Sequence, residues 1–188
     1  MGISTLIKTL TASGSVSLDF VDGTADVVLD GTYDEYMFVC TDIAPDTDNV
    51  QFSFQVNATD DPGGGYDTSL ITSTAISAYH REDDGSTPNV STEDAHDQAQ
   101  GSGFQSIAHG CGSASDESVA GILHLFNPAS TTLVKNFYST FSINRAAAPT
   151  AIQLYVSGYI DDTTAIDEIQ FKMSSGNFDG VIQLYGIA

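Results

Sequence analysis

Residues 165–188, AIDEIQFKMSSGNFDGVIQLYGIA, contain two apolar runs separated by a short turn sequence. In the first run, apolar and polar side chains alternate from residue 169 to residue 173, which is the period-two pattern of a half-buried β-strand. The turn sequence Ser-Ser-Gly-Asn at 174–177 contains residues that tolerate a positive φ. A second apolar run covers 178–187. The pattern therefore predicts a β-hairpin that closes a β-sheet core.

Strand patterns of the same kind recur along the rest of the chain. The clearest is Val50–Val56, in which every second residue is apolar. Residues 133–143 also fit a helical stripe, but their aromatic and β-branched side chains favour a strand. About ten strands with turn signals between them predict an all-β fold, an antiparallel β-sandwich of the jelly-roll type, in a single domain spanning 1–188. The further predicted strands are a hairpin at 4–21 and single strands at 27–29, 36–43, 104–108, 119–126 and 152–156.

Residues 57–103 differ in composition from the rest of the chain and predict a loop-rich insertion. They are rich in Asp, Gly, Ser and Thr. Because a structureless loop of that length is unusual in a compact domain, we expect it to contain a strand near Thr74–His80. From Arg81 to Gly103 the acidic side chains are costly to bury, so this part is predicted to be a surface loop.

The charge balance argues against nucleic acid as a partner, and the lengths of the apolar runs argue against a membrane. Five Lys and Arg residues stand against 25 Asp and Glu, which gives a formal net charge of −20. Nucleic-acid binding needs clustered cations, whereas these five are scattered singly, so no direct nucleic-acid contact is expected. No apolar run approaches the roughly 18 residues of a transmembrane helix, so no membrane partner is expected. The acidity is expected chiefly to keep the protein soluble and to resist aggregation. The alternatives are a surface turned outward from a particle and a surface that docks onto a basic partner.

The two cysteines leave two alternatives open. Cys40 lies in the apolar run 37–40, and Cys111 lies between two glycines. Two cysteines do not make a disulfide framework, and two free thiols fit a protein made in a reducing cytoplasm. A single disulfide between them is the other alternative.

The histidines and carboxylates form no recognised catalytic or metal-binding motif. None of His80, His96, His109 and His124 makes a close pair of the His-x-x-x-His kind. The acidic clusters at 46–49 and 83–85 do not complete a calcium-binding loop. There is also no Gly-x-Ser-x-Gly nucleophile elbow. The sequence therefore predicts no enzyme activity, no cofactor and no metal site. In the strand at 119–126, His124 is expected to face the side opposite its two leucine neighbours.

Two segments resemble a known class of protein. The pattern I-x-F-x-x-S-S-G-N-F-x-G-x-I-x-L-Y-G-I at 169–187 resembles the C-terminal hairpin of structural proteins in the virions of tailed bacteriophages, especially marine ones. A weaker second match is N-P-A-S-T-T-x-x-K at 127–135. The resemblance implies a jelly-roll subunit, frequently trimeric, that decorates a capsid or forms part of a tail or fibre.

Four apolar side chains are candidates for a subunit interface. In the strand at 152–156, Tyr155 is expected to face away from the core, and in the last strand Val181, Tyr185 and Ile187 are expected to do the same. An outer face of this kind is too apolar for simple exposure to solvent. Either a second layer of the same chain covers it, or it is a contact between subunits.

The function that these observations favour is that of a non-enzymatic virion protein. The expected protein is a capsid decoration or cement subunit, a homotrimer, which contacts the major capsid protein or other virion proteins. It would be made in the host bacterial cytoplasm and located in the virion. The alternative is a tail or fibre module that binds a host receptor or a glycan.

Overall fold

The structure is a computed structural model and describes residues 4–60, 66, 69–145 and 149–188. Every regular element in these ranges is a β-strand. The described chain has no helix of the length and hydropathy needed to cross a membrane. The strands are β1 (Ser4–Ser15), β2 (Ser17–Val21), β3 (Glu35–Pro45), β4 (Val50–Ala58), β5 (Leu70–Arg81), β6 (Asn89–Thr92), β7 (Gln105–Cys111), β8 (Val119–Phe126), β9 (Lys135–Arg145), β10 (Thr150–Asp161), β11 (Ile166–Met173) and β12 (Phe178–Ile187).

The strands form one antiparallel sheet that curves until it is nearly closed, like a barrel. Eight strands follow one another in the order β1-β12-β3-β8-β9-β10-β5-β6, and four more in the order β7-β4-β11-β2. One pair of residues, Cys111 on β7 and Arg145 on β9, joins the two parts. The end strands β1 and β2 are separated in sequence only by Val16, so the two ends of the sheet meet at that corner.

Aromatic side chains fill the space between the four-stranded part and the eight-stranded part. Phe20 on β2 packs edge-on against Phe38 on β3, with ring centroids 5.3 Å apart. Phe54 on β4 packs in the same way against Phe137 on β9, at 5.1 Å. All four rings are buried. Each such pair contributes about 0.5–1.5 kcal/mol beyond its buried area, so these contacts hold the two parts face to face.

Although both C-terminal strands are fully described, they do not pair with each other, which corrects the hairpin predicted at 165–188. β11 pairs with β2 and β4, whereas β12 pairs with β1 and β3. The backbone N–H of Asn177 donates to the carboxylate of Asp46 at 2.9 Å, and that of Ser174 donates to the carbonyl of Gln51 at 2.8 Å. These backbone N–H groups are therefore bonded to residues at the β3–β4 connection and not across a hairpin between β11 and β12. The connection is an arch, which carries the chain from one part of the sheet to the other.

The hairpin predicted at 4–21 is corrected in the same way. Its two strands are present as β1 and β2, but β1 pairs with β12 and β2 pairs with β11. The strand connections at both ends of the chain are thus arches that carry the chain between the two parts of the sheet.

Residues 27–29, predicted to be a strand, form no strand, although Val27 and Leu29 are buried. The backbone N–H of Gly23 donates to the carbonyl of Val27 at 3.0 Å. The backbone N–H of Leu29 donates to the carboxylate of Asp22 at 2.8 Å. Because these backbone bonds close a local turn, the segment contributes Val27 and Leu29 to the core without joining the sheet.

Several other sequence-based predictions are confirmed. The ambiguous segment at 133–143 contains a strand, β9. The strand expected near 74–80 exists and is longer, because β5 pairs with β10 in register from Leu70 to Arg81. This part of the segment 57–103 therefore belongs to the main sheet. No residue from 82 to 103 is buried, so this part lies on the surface as predicted, but it is not all loop, because β6 lies within it and pairs with β5. Residues 61–65 and 67–68 lie outside the described residues. Cys40 and Cys111 are buried free thiols rather than a disulfide.

Candidate functional site

The four candidate interface residues lie on one face of the eight-stranded part. Buried Ile182 and Leu184 alternate with half-buried Val181, Tyr185 and Ile187 along β12, as predicted. Tyr155 faces outward from β10 and is 53% exposed, so no described element of the chain covers it. Tyr155 and Tyr185 are four strands apart, about 19 Å at the usual strand spacing, and therefore share a face without touching.

Strand register arranges the outward side chains of this face into two continuous rows, which we call the outer rows. Neighbouring members of a row are paired residues on adjacent strands, so each row crosses seven or eight strands. At about 4.8 Å per strand, the longer row extends about 34 Å. The first row contains Thr9, Gln183, Val39, Ile122, Thr140, Tyr155, Ile76 and Thr92, and the second contains Leu6, Tyr185, Met37, His124, Tyr138, Ser157 and Thr74.

The outer rows contain no Asp, Glu, Lys or Arg, in a chain of formal net charge −20. Several of their apolar side chains are well exposed, with Leu6 at 50%, Ile76 at 45% and Tyr138 at 43%. Depletion of charge together with exposed aromatic side chains is typical of the core of a protein–protein interface. Val181 and Ile187 flank the rows on β12.

The rings of His124, Tyr138 and Phe126 form an aromatic cluster on this face, which the sequence did not predict. His124 faces outward, as predicted, and its ring stacks on that of Tyr138 with centroids 4.4 Å apart. Nδ1 of His124 lies within hydrogen-bonding distance of the Glu35 carboxylate, beside the second row. The ring of Phe126 stacks on both, with its centroid 5.8 Å from that of Tyr138 and 6.5 Å from that of His124. This packing fixes the orientation of large side chains on the outer face, so their surface is preorganised.

A second candidate site lies on the opposite face of the sheet, in a cleft of about 550 Å³ that we call the histidine cleft. Glu93 follows β6 directly, and His96 comes one turn later, with its N–H donating to the Glu93 carbonyl at 2.8 Å. His109 lies on β7 and stacks on His96 with ring centroids 4.2 Å apart. The cleft is lined by Ser77, Tyr79, Arg81, Ser86, Glu93, His96, His109, Arg145, Thr150 and Ile152.

Hydrogen bonds hold Glu93 and His96 in place. The hydroxyl of Ser77 donates to Oε1 of Glu93, and the hydroxyl of Ser91 donates to the same atom at 3.3 Å. The side-chain amide of Gln105, which is fully buried, donates to the carbonyl of His96 at 2.9 Å. These contacts fix the turn at 93–96 against the inner face of β5 and the start of β7.

Burial favours the neutral form of both cleft histidines. Burial lowers the pKa of His96, although the carboxylates of Glu93 and Asp97 oppose the shift. Burial lowers the pKa of His109 to about 4, helped by the neighbouring His96 and Arg145. A neutral imidazole carries a free lone pair and can act as a ligand.

The acidic clusters that resemble calcium-loop fragments have structural roles instead. Asp46 accepts the N–H of Asn177 at the C-terminal arch. Asp83 forms an ion pair with Arg81 and accepts the N–H of Gly85 at 2.8 Å. The hydrogen bond from Arg81 lowers the pKa of Asp83 to about 2. Both carboxylates therefore stabilise turns, as expected for aspartates in these positions.

Comparison with known proteins adds no assignment to these two sites. No family model, no curated protein and no solved structure matches the chain.

Proposed function

We propose that this protein is a non-enzymatic structural subunit of a tailed-phage virion, a capsid decoration or cement protein that assembles as a homotrimer. The observation that carries the proposal is the pair of outer rows, which are uncharged and partly apolar in an otherwise strongly acidic chain. The virion assignment rests on the resemblance of residues 169–187 and 127–135 to phage structural proteins.

Electrostatics favours the outer rows as the surface on which copies meet. At a net charge of −20, copies of the chain repel one another over most of their surface. The repulsion is weakest where carboxylates are absent, and the outer rows also offer exposed apolar area to bury. The longer row extends about 34 Å, so the outer rows would form the centre of an interface of standard size, about 800 Å² per partner.

The jelly-roll assignment is part of the same proposal. Its support is the two-part sheet with a common aromatic core, together with arches that lead the chain from one part to the other. In a jelly roll, two sheets pack face to face and the chain crosses repeatedly between them.

A second candidate function is a tail or fibre module that binds a glycan. The observation in its favour is a groove of about 450 Å³ on β5, β6 and β10, lined in part by Tyr79, Asn89 and Gln153. An aromatic ring beside amide side chains is a suitable surface for a sugar. This module would bind through the groove rather than through the outer rows.

The proposal is tested by the mass of the purified chain and by its neighbours in particles. Light scattering at micromolar concentration is expected to give three times the 19.8 kDa of one chain. Cross-linking of purified virions that contain the chain is expected to join it to capsid subunits. A monomeric mass contradicts assembly through the outer rows, and cross-links to a tail tube or hub instead of the capsid favour the second candidate.

A further inference from the structure

The histidine cleft brings together three side chains that ligate transition metals. Among the described residues, Glu93, His96 and His109 form a group whose ligand atoms all lie within 4.8 Å of one another. We infer that these three residues bind a divalent transition-metal ion, with Zn²⁺ as the best match. Two imidazoles and one carboxylate form a donor set that zinc takes in proteins, with a fourth position left to water or another ligand.

Unsatisfied polar atoms in the cleft point independently to a ligand. Nδ1 of His96 and Nε2 of His109 are buried and have no hydrogen-bond partner among the described residues. The hydroxyl oxygen of Ser86, which lines the same cleft, is also buried and has no hydrogen-bond partner among the described residues. Buried polar atoms in native proteins nearly always have a partner. A metal ion bound by the two ring nitrogens would supply it.

The charges around the cleft fit a divalent ion that carries a further ligand. Glu93 and Asp97 bring negative charge close to His96. Arg81 and Arg145 line the same cleft and bring positive charge. With three ligands from the protein, the fourth position is left for water or a small anion, in a cleft that Arg81 and Arg145 line.

Metal binding requires a defined movement of one ring. Zinc–nitrogen bonds of about 2.0–2.1 Å place tetrahedral ligand atoms about 3.3 Å apart. The two rings now lie nearly parallel, with 12° between their planes, so their in-plane lone pairs cannot meet at one point. His109 lies on β7, whereas His96 lies on a surface turn. We therefore expect the His96 ring to turn and the stack to break when the ion binds.

The consequence for the fold is a cross-link between two segments. Glu93 and His96 belong to the surface segment that follows β6 and are half-buried, whereas His109 belongs to the sheet. An ion held by all three would tie that segment to β7. Because the cleft and the outer rows lie on opposite faces, this role is independent of the proposed assembly.

Isothermal titration of the chelator-treated, full-length chain with ZnCl₂ tests the inference. We expect one ion per chain, with binding abolished in Glu93→Gln, His96→Gln and His109→Gln. Ser77→Ala, which removes a hydrogen bond to the Glu93 carboxylate, is expected to weaken binding by about 10- to 100-fold. The matched control is His80→Gln, because His80 is exposed and its partner Asp84 lies outside the cleft. Its affinity should equal that of the unchanged chain.

Absence of saturable binding to the unchanged chain overturns the inference. So does a loss in His80→Gln as large as that in His96→Gln. A site that prefers Ca²⁺ or Mg²⁺ to Zn²⁺ contradicts the assigned metal class.

Histidine ring resonances in NMR spectra of the unchanged chain give a second measurement that does not depend on the folding of any variant. Addition of Zn²⁺ should shift the ring signals of His96 and His109 and leave those of His80 and His124 in place. Shifts confined to His80 or His124 would show that the metal binds elsewhere and would overturn the assignment.

Discussion

The C-terminal arch depends on Gly176, and replacing this residue with alanine is expected to destabilise the protein. Gly176 has a φ of +75°, a backbone conformation that residues with a Cβ rarely adopt. A Cβ at this position would lie 2.1 Å from Oδ1 of Asp46 and 2.3 Å from the hydroxyl of Thr47. The same Oδ1 accepts the N–H of Asn177, so the substitution strains the backbone and displaces the group that closes the arch.

The expected loss of stability is the sum of the backbone strain and the lost hydrogen bond. A residue with a Cβ in the left-handed region costs about 1–2 kcal/mol. Loss of the hydrogen bond between Asn177 and Asp46 costs about 1 kcal/mol. Gly176→Ala should therefore lower the free energy of unfolding by about 2–3 kcal/mol, which at this chain length corresponds to a fall in Tm of about 4–12 °C.

Two other glycines separate the two contributions. Gly23 has a φ of +70° and no atom within 4 Å of its would-be Cβ, so Gly23→Ala should show the backbone term alone. Gly31 has neither a positive φ nor a close contact, so Gly31→Ala should leave stability nearly unchanged. The assay is urea unfolding followed by far-UV circular dichroism, at one fixed protein concentration because association would shift the transition.

The result that would refute this reasoning is a Gly176→Ala variant no less stable than Gly23→Ala. Asp46→Ala gives a further check, since in a hairpin between β11 and β12 the Asp46 side chain would have no part. If Asp46→Ala matches the unchanged chain in stability, Asp46 does not hold the connection between these strands.

Three further predictions follow from particular side chains. Tyr155→Glu should reduce the mass measured by light scattering to that of a monomer. Burying the exposed tyrosine surface, about 120 Å², in the interface contributes about 3 kcal/mol to association, so its loss lowers the affinity about a hundredfold. Leu133→Glu, also at an exposed apolar residue but outside the outer rows, should leave the mass unchanged. Burial alone would raise the pKa of Asp162, but the hydrogen bonds that its carboxylate accepts and a nearby lysine lower it. Asp162→Asn should therefore lower the free energy of unfolding, measured in urea at pH 7. The difference from the unchanged chain should disappear as the pH falls below 3.8, where the carboxylate becomes protonated. Burial raises the pKa of the Cys40 thiol, and that of Cys111 to about 12, so neither should react with a thiol reagent until the protein is unfolded.

The sequence predicts which side of a strand each residue faces much better than it predicts which strands are neighbours. Alternation of apolar and polar residues placed Tyr155 and Tyr185 on the outer face, because the two-residue period of a strand is a local property. The Ser-Ser-Gly-Asn turn is compatible with both a hairpin and an arch. What decides between them is Asp46, well over a hundred residues away, whose carboxylate closes the turn. No local pattern contains that information.

The outer rows illustrate the same limit. Their members come from β1, β12, β3, β8, β9, β10, β5 and β6, and become neighbours only through the register of seven strand pairs. The sequence indicated an acidic chain with few cations, but it could not show that the carboxylates avoid two complete rows of one face. That absence, rather than any single apolar residue, is what distinguishes this face.

The histidine cleft was missed for a related reason. A search for metal ligands by short spacing fails here because His96 and His109 belong to different elements, one on a surface turn and the other on β7. A partial signal existed in Glu93-x-x-His96, which places a carboxylate and an imidazole one turn apart, but the second imidazole is supplied by the sheet. β7 lies at one end of the four-stranded part, and the segment after β6 is hydrogen-bonded to Ser77 and Ser73 on the inner face of β5. Curvature of the sheet brings these two elements together, so the three ligands meet only in the folded chain.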